Sequence, residues 1–279
     1  MRRFVLPLAV ALLLAGCGGG GQTAAPPTTA ETAPAPPQVG TAPGIETVPQ
    51  DVTSFGVYFL REGKVAPAYR AVPQTEAVGT AAIEALLAGP TADETSFGLT
   101  STIPAGTKLE SLDVKDGVAT VDLSPEFEPL REPAELAENL AQITFTLTQF
   151  STIQRVWVAV QGEPIGSQSE PLTRGQMSGL TPAILVEHPA ARETVTSPIG
   201  VSGTASVFEA TLRVRLEGPA GENLWEDTVT ASEGAPGRGT FALEIPFTAT
   251  GEGKIVAFSP SAKDGSEQHA FEVRVVLAP

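Results

Sequence analysis

Apolar and polar positions follow two rhythms along this chain. From residue 53 to 178 short apolar runs alternate with helical spacing, whereas from 181 to 279 the period is two throughout. In the first stretch, residues 57–60 (Val-Tyr-Phe-Leu) form a short apolar run, and 68–72 are predicted to follow as a second strand after a turn at Glu62-Gly63. Thr75 is then placed to cap a helix whose apolar positions Val78, Ala82, Ile83, Leu86 and Leu87 recur at helical intervals. Gly89-Pro90 stops it. Residues 109–114 and 118–123 flank Lys115-Asp116-Gly117, and Asp-Gly between alternating segments predicts a hairpin. Pro133 opens a second helix with Leu136, Leu140, Ile143, Leu147 and Phe150 along one stripe, and 156–160 (Val-Trp-Val-Ala-Val) close the unit as a buried strand. The expected result is a small sheet covered by two helices.

The second stretch carries no helical spacing. Leu212, Val214 and Leu216 alternate with Arg213, Arg215 and Glu217. Phe241, Leu243 and Ile245 alternate with polar or small residues, as do Phe271, Val273, Val275 and Leu277. With further runs at 184–187, 199–205, 224–230 and 253–259, seven short strands within about a hundred residues predict a β-sandwich of immunoglobulin type. No cysteine is available for an inter-sheet disulfide, so Trp225 and Phe258 are expected to fill that space. The fold class is therefore α+β followed by all-β.

The pattern is different again ahead of residue 53. Arg2 and Arg3 precede an apolar run from Phe4 to Leu14, and Leu14-Ala15-Gly16-Cys17 follows. This is the layout of a bacterial lipoprotein signal over residues 1–16, cleaved between Gly16 and Cys17, and the run is too short to span a bilayer. Cys17 is the single cysteine of 279 residues and stands where a thioether-linked diacylglycerol is attached. Acyl chains bury methylenes at about 0.8 kcal/mol each, so two or more anchor stably. The expected location is the extracytoplasmic face of the cell membrane. Residues 17–52 are rich in Pro, Thr and Ala and hold few large apolar side chains, which predicts a disordered tether. Fully extended at ~3.1 Å per residue, it reaches about 100 Å.

Charge narrows the partners. Seventeen Lys and Arg against 32 Asp and Glu give a net charge of −15, which disfavours nucleic acid and anionic lipid surfaces. The candidate chemistry is sparse. Asp122 and Ser124 lie where strand gives way to turn, but without a general base they read as turn caps rather than an acid and nucleophile. His188 and His269 are isolated in sequence, so no metal site is expected. Glu126, Glu128, Glu132, Glu135 and Glu138 lack the ligand spacing of a calcium loop and read as a solvated face near a helix start. No cofactor is implied.

The residues also carry a resemblance. Leu86-Leu87-Ala88-Gly89-Pro90, then the segment 118–127 (Val-Ala-Thr-Val-Asp-Leu-Ser-Pro-Glu-Phe), then the strand at Trp157 resemble the GerMN domain of sporulation and germination lipoproteins. Ile184-Leu185-Val186, Pro189, Val195, Ser197-Pro198-Ile199, Val201, Gly203, Ala205, Phe208-Glu209-Ala210 and Gly239-Thr240-Phe241 resemble the immunoglobulin-like domain of bacterial spore germination. The resemblance implies a GerMN domain over 53–178, similar to ring-building modules, and a sandwich over 181–279. It implies a non-catalytic role at the envelope, with Gly89, Pro90, Asp122, Ser124 and Phe127 as structural motif residues. A single α/β domain departs from the tandem arrangement of that family. The expected function is an anchored adaptor or assembly module with an envelope protein or the cell wall as partner. The alternatives are an accessory regulator of a sensor kinase or transporter, and a peptidoglycan-binding or peptidoglycan-processing protein.

Overall fold

The computed structural model describes residues 52–127, 132–166 and 168–279. Gly16, Cys17, the expected tether up to residue 51 and Glu128 lie outside them, while Val52, expected to end the tether, is the first residue of a strand. The described residues open with a hairpin of β1 (Val52–Arg61) and β2 (Lys64–Pro73), followed by α1 (Val78–Leu87) and a short α2 (Ala92–Ser96). A second hairpin, β3 (Leu109–Lys115) and β4 (Val118–Leu123), leads to α3 (Pro133–Leu147), then β5 (Arg155–Val160) and β6 (Glu163–Pro164). The hairpins turn as their sequences dictate. Glu62-Gly63, Asp116-Gly117 and Gln161-Gly162 all have both central residues at positive φ, the geometry that matches strand twist.

Three expectations need correction here. Thr75 does not cap α1: the N-cap is Ala77, and the Thr75 hydroxyl instead accepts from the Ala77 N–H in a local turn. Phe150 lies beyond the end of α3. The strands also form two sheets rather than one, β1-β2 and β3-β4-β5-β6, with β4 and β5 parallel. The outer edge of β1 explains the division. Its alternate residues are bonded away from strands: Gly56 exchanges two hydrogen bonds with the Gln149 amide, the Tyr58 N–H donates to Thr146 Oγ1, and Leu60 pairs with Thr100. An edge already satisfied in this way cannot accept another strand.

This arrangement puts α3 against β1, β2 and β5 at once. Its last turns, from Asn139 to Leu147, are consequently buried on every face. Asn139, Gln142 and Thr146 take partners there, as where Thr102 Oγ1 donates to Asn139 Oδ1 at 2.6 Å, whereas Thr144 Oγ1 and Gln142 Oε1 have none among the described residues.

The remaining strands are β7 (Ile184–His188), β8 (Thr194–Val195), β9 (Ile199–Ala205), β10 (Thr211–Glu217), β11 (Asn223–Thr230), β12 (Gly239–Ile245), β13 (Gly251–Pro260) and β14 (Glu267–Leu277). They form a five-stranded sheet, β11-β10-β13-β14-β8, and a three-stranded sheet, β12-β9-β7. Alternation decides which residues face inward: Leu212, Val214 and Leu216 are buried beside Ile255 and Ala257. Trp225 packs on that core, but Phe258 does not. Phe258 pairs with Arg213, on the opposite face of β13 from Ala257, and is 2% exposed because the Arg213 and Arg215 guanidinium groups lie over its ring. Phe241, Phe271 and the aliphatic alternations fill the core.

Candidate functional site

The residues singled out in the α/β half are engaged with the backbone. Gly89, at φ +79, follows the helix C-cap Ala88 and donates to Leu86 O, with Pro90 after it. Asp122 Oδ1 accepts the Gly162 N–H at 2.9 Å across the β5–β6 turn. Buried Ser124 exchanges bonds with Lys108: its Oγ accepts the Lys108 N–H and its own N–H donates to Lys108 O, each at 2.9 Å. Its carbonyl accepts the N–H of Phe127, which is 1% exposed and anchors this turn in the core. The Ser124 hydroxyl also holds the exposed Glu126 carboxyl below its usual range.

The other candidates do not converge. His188 Nδ1 lies 3.5 Å from Glu193 Oε2, while His269 is an exposed residue of β14 at positive φ. Glu132 and Glu135 are exposed at the start of α3 and Glu138 is half-buried. Among the described residues no group of three or more His, Cys, Asp and Glu is arranged to hold a metal.

One group of charged residues that the fold brings together lies between the α/β half and the sandwich. Tyr58, buried on β1, donates its hydroxyl to Glu187 Oε2 on β7 at 2.7 Å, and Arg174 Nη1 donates to the same oxygen at 2.7 Å. Arg174 also donates through Nε to Thr148 Oγ1 and through Nη2 to Phe145 O, with its guanidinium 4.6 Å from the Phe145 ring centre. Burial, reinforced by Glu187, pushes the Tyr58 phenol far above its ordinary pKa, so it remains a donor throughout the physiological range. A short loop adds backbone ties. Ala191 bonds to Pro67 and Tyr69 of β2, and the next residues, Arg192 and Glu193, bond to Arg274 and Val276 of β14. One tripeptide, Ala191 to Glu193, thus stitches the first hairpin to the five-stranded sheet.

Beside this stitch opens a cleft of about 440 Å³, walled by β1, β2, α2 and β14. Arg61, Arg192 and Arg274 reach into it around two aromatic rings. Arg61 lies 4.6 Å from the Phe271 ring centre, and Arg274 and Arg192 lie 4.5 and 5.8 Å from that of Phe97. Burial pulls the Arg61 guanidinium below its ordinary pKa, while Glu272 and Glu62 oppose the shift. Glu94 lines the same cleft but is neutralised by Arg70, which donates to both carboxylate oxygens. Such a site suits binding of an anion that also presents an apolar surface. Sequence reasoning missed it because Arg61 lies more than a hundred residues from Arg192 and Arg274, which are themselves 82 residues apart. A weak signal was available in Arg61 two residues from Phe59 and Arg274 three from Phe271.

Comparison with known proteins assigns both halves. The sequence profile described as Germane, sporulation and spore germination, matches residues 56–166. The profile Gmad2, immunoglobulin-like domain of bacterial spore germination, matches residues 183–266. Spore germination protein GerM of Bacillus subtilis (strain 168) is 27% identical over 202 residues, which is 70% of this chain and 53% of that protein. The chain therefore spans about half the length of this curated relative. Among solved structures, the tandem GerMN domains of B. subtilis GerM align with a TM-score of 0.39 and 19% identity, covering 70% of this chain and 62% of that one. The first GerMN domain of the same protein gives 0.37 and 28%, covering 44% and 98%.

Proposed function

The chain joins a sporulation and spore germination domain to an immunoglobulin-like domain of bacterial spore germination, and from that premise we propose that it is a non-catalytic, lipid-anchored envelope protein that binds a partner protein. The observation that supports this reading is the cleft between the two halves, to which both contribute cationic and aromatic side chains while the ties through Glu187 and Ala191 hold them together. A site assembled from two domains is suited to recognition. Cys17 supplies the anchor, and the residues that follow it set the working distance from the membrane.

Cross-linking in intact cells followed by affinity purification of the full-length protein tests the binding role. One envelope protein recovered well above an unrelated lipoprotein control is the expected outcome. Equal recovery from both would refute it, and release of soluble muropeptides from purified wall would overturn the non-catalytic assignment. A co-purifying sensor kinase or permease would refine the role to that of an accessory regulator. Cys17→Ser should move the protein from the membrane to the soluble fraction, and unchanged membrane partition would refute the acyl anchor.

A further inference from the structure

Thirty-two carboxylates face 17 lysines and arginines in this chain, so an arginine left without an acidic partner runs against the odds. Among the described residues, Arg61 and Arg274 form no ion pair. Both line the cleft. The neighbouring acids are largely committed: Glu94 to Arg70, and Glu272 to Lys254 at 3.2 Å. Arg192 pairs with Glu252 and Asp93, whose side chains are 70% and 76% exposed, so solvent weakens both contacts. Glu62 alone on the cleft wall is acidic and makes no ion pair. The cleft therefore holds a surplus of positive charge within a strongly negative protein.

A second observation concerns the backbone. β14 pairs with β13 along one edge, but on the other it meets β8 only at Val276 and Leu277. Glu272 O is taken by Arg61 Nη1, Arg274 O by the Arg192 N–H, and the Val276 N–H by Glu193 O. In an antiparallel ladder the N–H and C=O of one residue leave by the same edge. The N–H groups of Glu272 and Arg274 thus point away from β13, toward the cleft. The carbonyls of this edge are thus taken, and what it offers is the two N–H donors, about 7 Å apart at ~3.3 Å per residue. Inward-facing N–H donors and guanidinium groups over aromatic rings form one continuous binding strip.

We propose that this strip binds an acidic peptide segment of a partner protein, a main-chain carbonyl of the peptide accepting from the Glu272 or Arg274 N–H and a carboxylate side chain meeting Arg274 and Arg61. The N–H donors hold the peptide main chain, while the arginines select the acidic side chain. The proposal rests on the binding role given above and names the chemistry of the partner.

The test uses the full chain and the acetylated, amidated peptide Val-Glu-Val-Glu-Val, with Val-Gln-Val-Gln-Val and free glutarate as comparison ligands, followed by calorimetry and backbone NMR. The Glu peptide should bind with shifts at Phe97, Phe271 and Glu272, and both the Gln peptide and glutarate should bind at least about tenfold more weakly. Arg274→Gln, at an exposed position, should weaken the Glu peptide by about tenfold without altering the melting temperature. Equal affinity of the Gln peptide, equal affinity of glutarate, or unchanged binding to Arg274→Gln would overturn the proposal. If Arg274→Gln still recovers the cross-linked partner in full, the strip is refuted and the binding role survives. If no partner is recovered by either protein, the binding role itself falls.

Discussion

Glu187→Ala should uncouple the two halves of this protein. In the folded chain one carboxylate oxygen accepts from both the Tyr58 hydroxyl and Arg174, each at 2.7 Å. Removing it strands the Tyr58 O–H in a site that is 2% exposed, and a buried donor without an acceptor costs about 1–3 kcal/mol. The ion pair adds less, because the Arg174 and Glu187 side chains retain 26% and 21% exposure, so its loss is about 1 kcal/mol after screening. The total is about 3 kcal/mol. For a folded body of this size that lowers the melting temperature by about 6–12 °C. Since the contact spans β1 and β7, the damage falls on the coupling of the two halves and not on either core. Calorimetry of the wild type should show one transition and of Glu187→Ala two, the earlier one shifted by that amount. Glu187→Gln keeps one acceptor and should recover part of the loss. A shift below about 1 kcal/mol in Glu187→Ala, or two transitions already in the wild type, would refute the reasoning.

Two further perturbations probe separate features. Glu94 is 4% exposed, and although burial opposes its charge, Arg70 and the Thr91 N–H hold its pKa below the usual carboxylate range. Its contribution is full above the unfolded-state pKa and is lost as pH falls through the lower folded-state value. Glu94→Gln should accordingly cost about 2 kcal/mol at pH 7, with the gap narrowing by about pH 3 in paired urea titrations. A gap that is constant with pH would contradict this. Gly203 on β9 leaves no room for a side chain, since an added Cβ would sit 2.0 Å from Leu185 O, a backbone atom that cannot swing aside. Gly203→Ala should cost about 3 kcal/mol or abolish folding of the sandwich, read from the urea midpoint, and a cost under about 1 kcal/mol would show that β9 and β7 can separate.

Local chemistry fixed much of the chain by itself. The Asp116-Gly117 hairpin, Pro133 as the opening residue of α3 and Gly89-Pro90 as the terminator of α1 each depend on φ preferences or on donors that proline lacks, and these are properties of a few adjacent residues. The alternation of β10 and β14 likewise determined their inner faces, and the two motif sets matched the sporulation and spore germination and immunoglobulin-like profiles. What only the tertiary structure decided were matters of pairing at a distance. Thr75 offers the right side chain for a cap, yet Ala77 takes the position, and alternation could not say that Arg213 and Arg215 would cover Phe258 on the outer face. Nor could periodicity say that Thr146 and Gln149 would satisfy the edge of β1 and divide the sheet in two. The cleft was hidden for the same reason: Arg61, Arg192 and Arg274 meet only because the loop at Ala191 bonds to β2 and β14 together, and a hydrogen bond between segments so far apart in sequence leaves no local pattern to read.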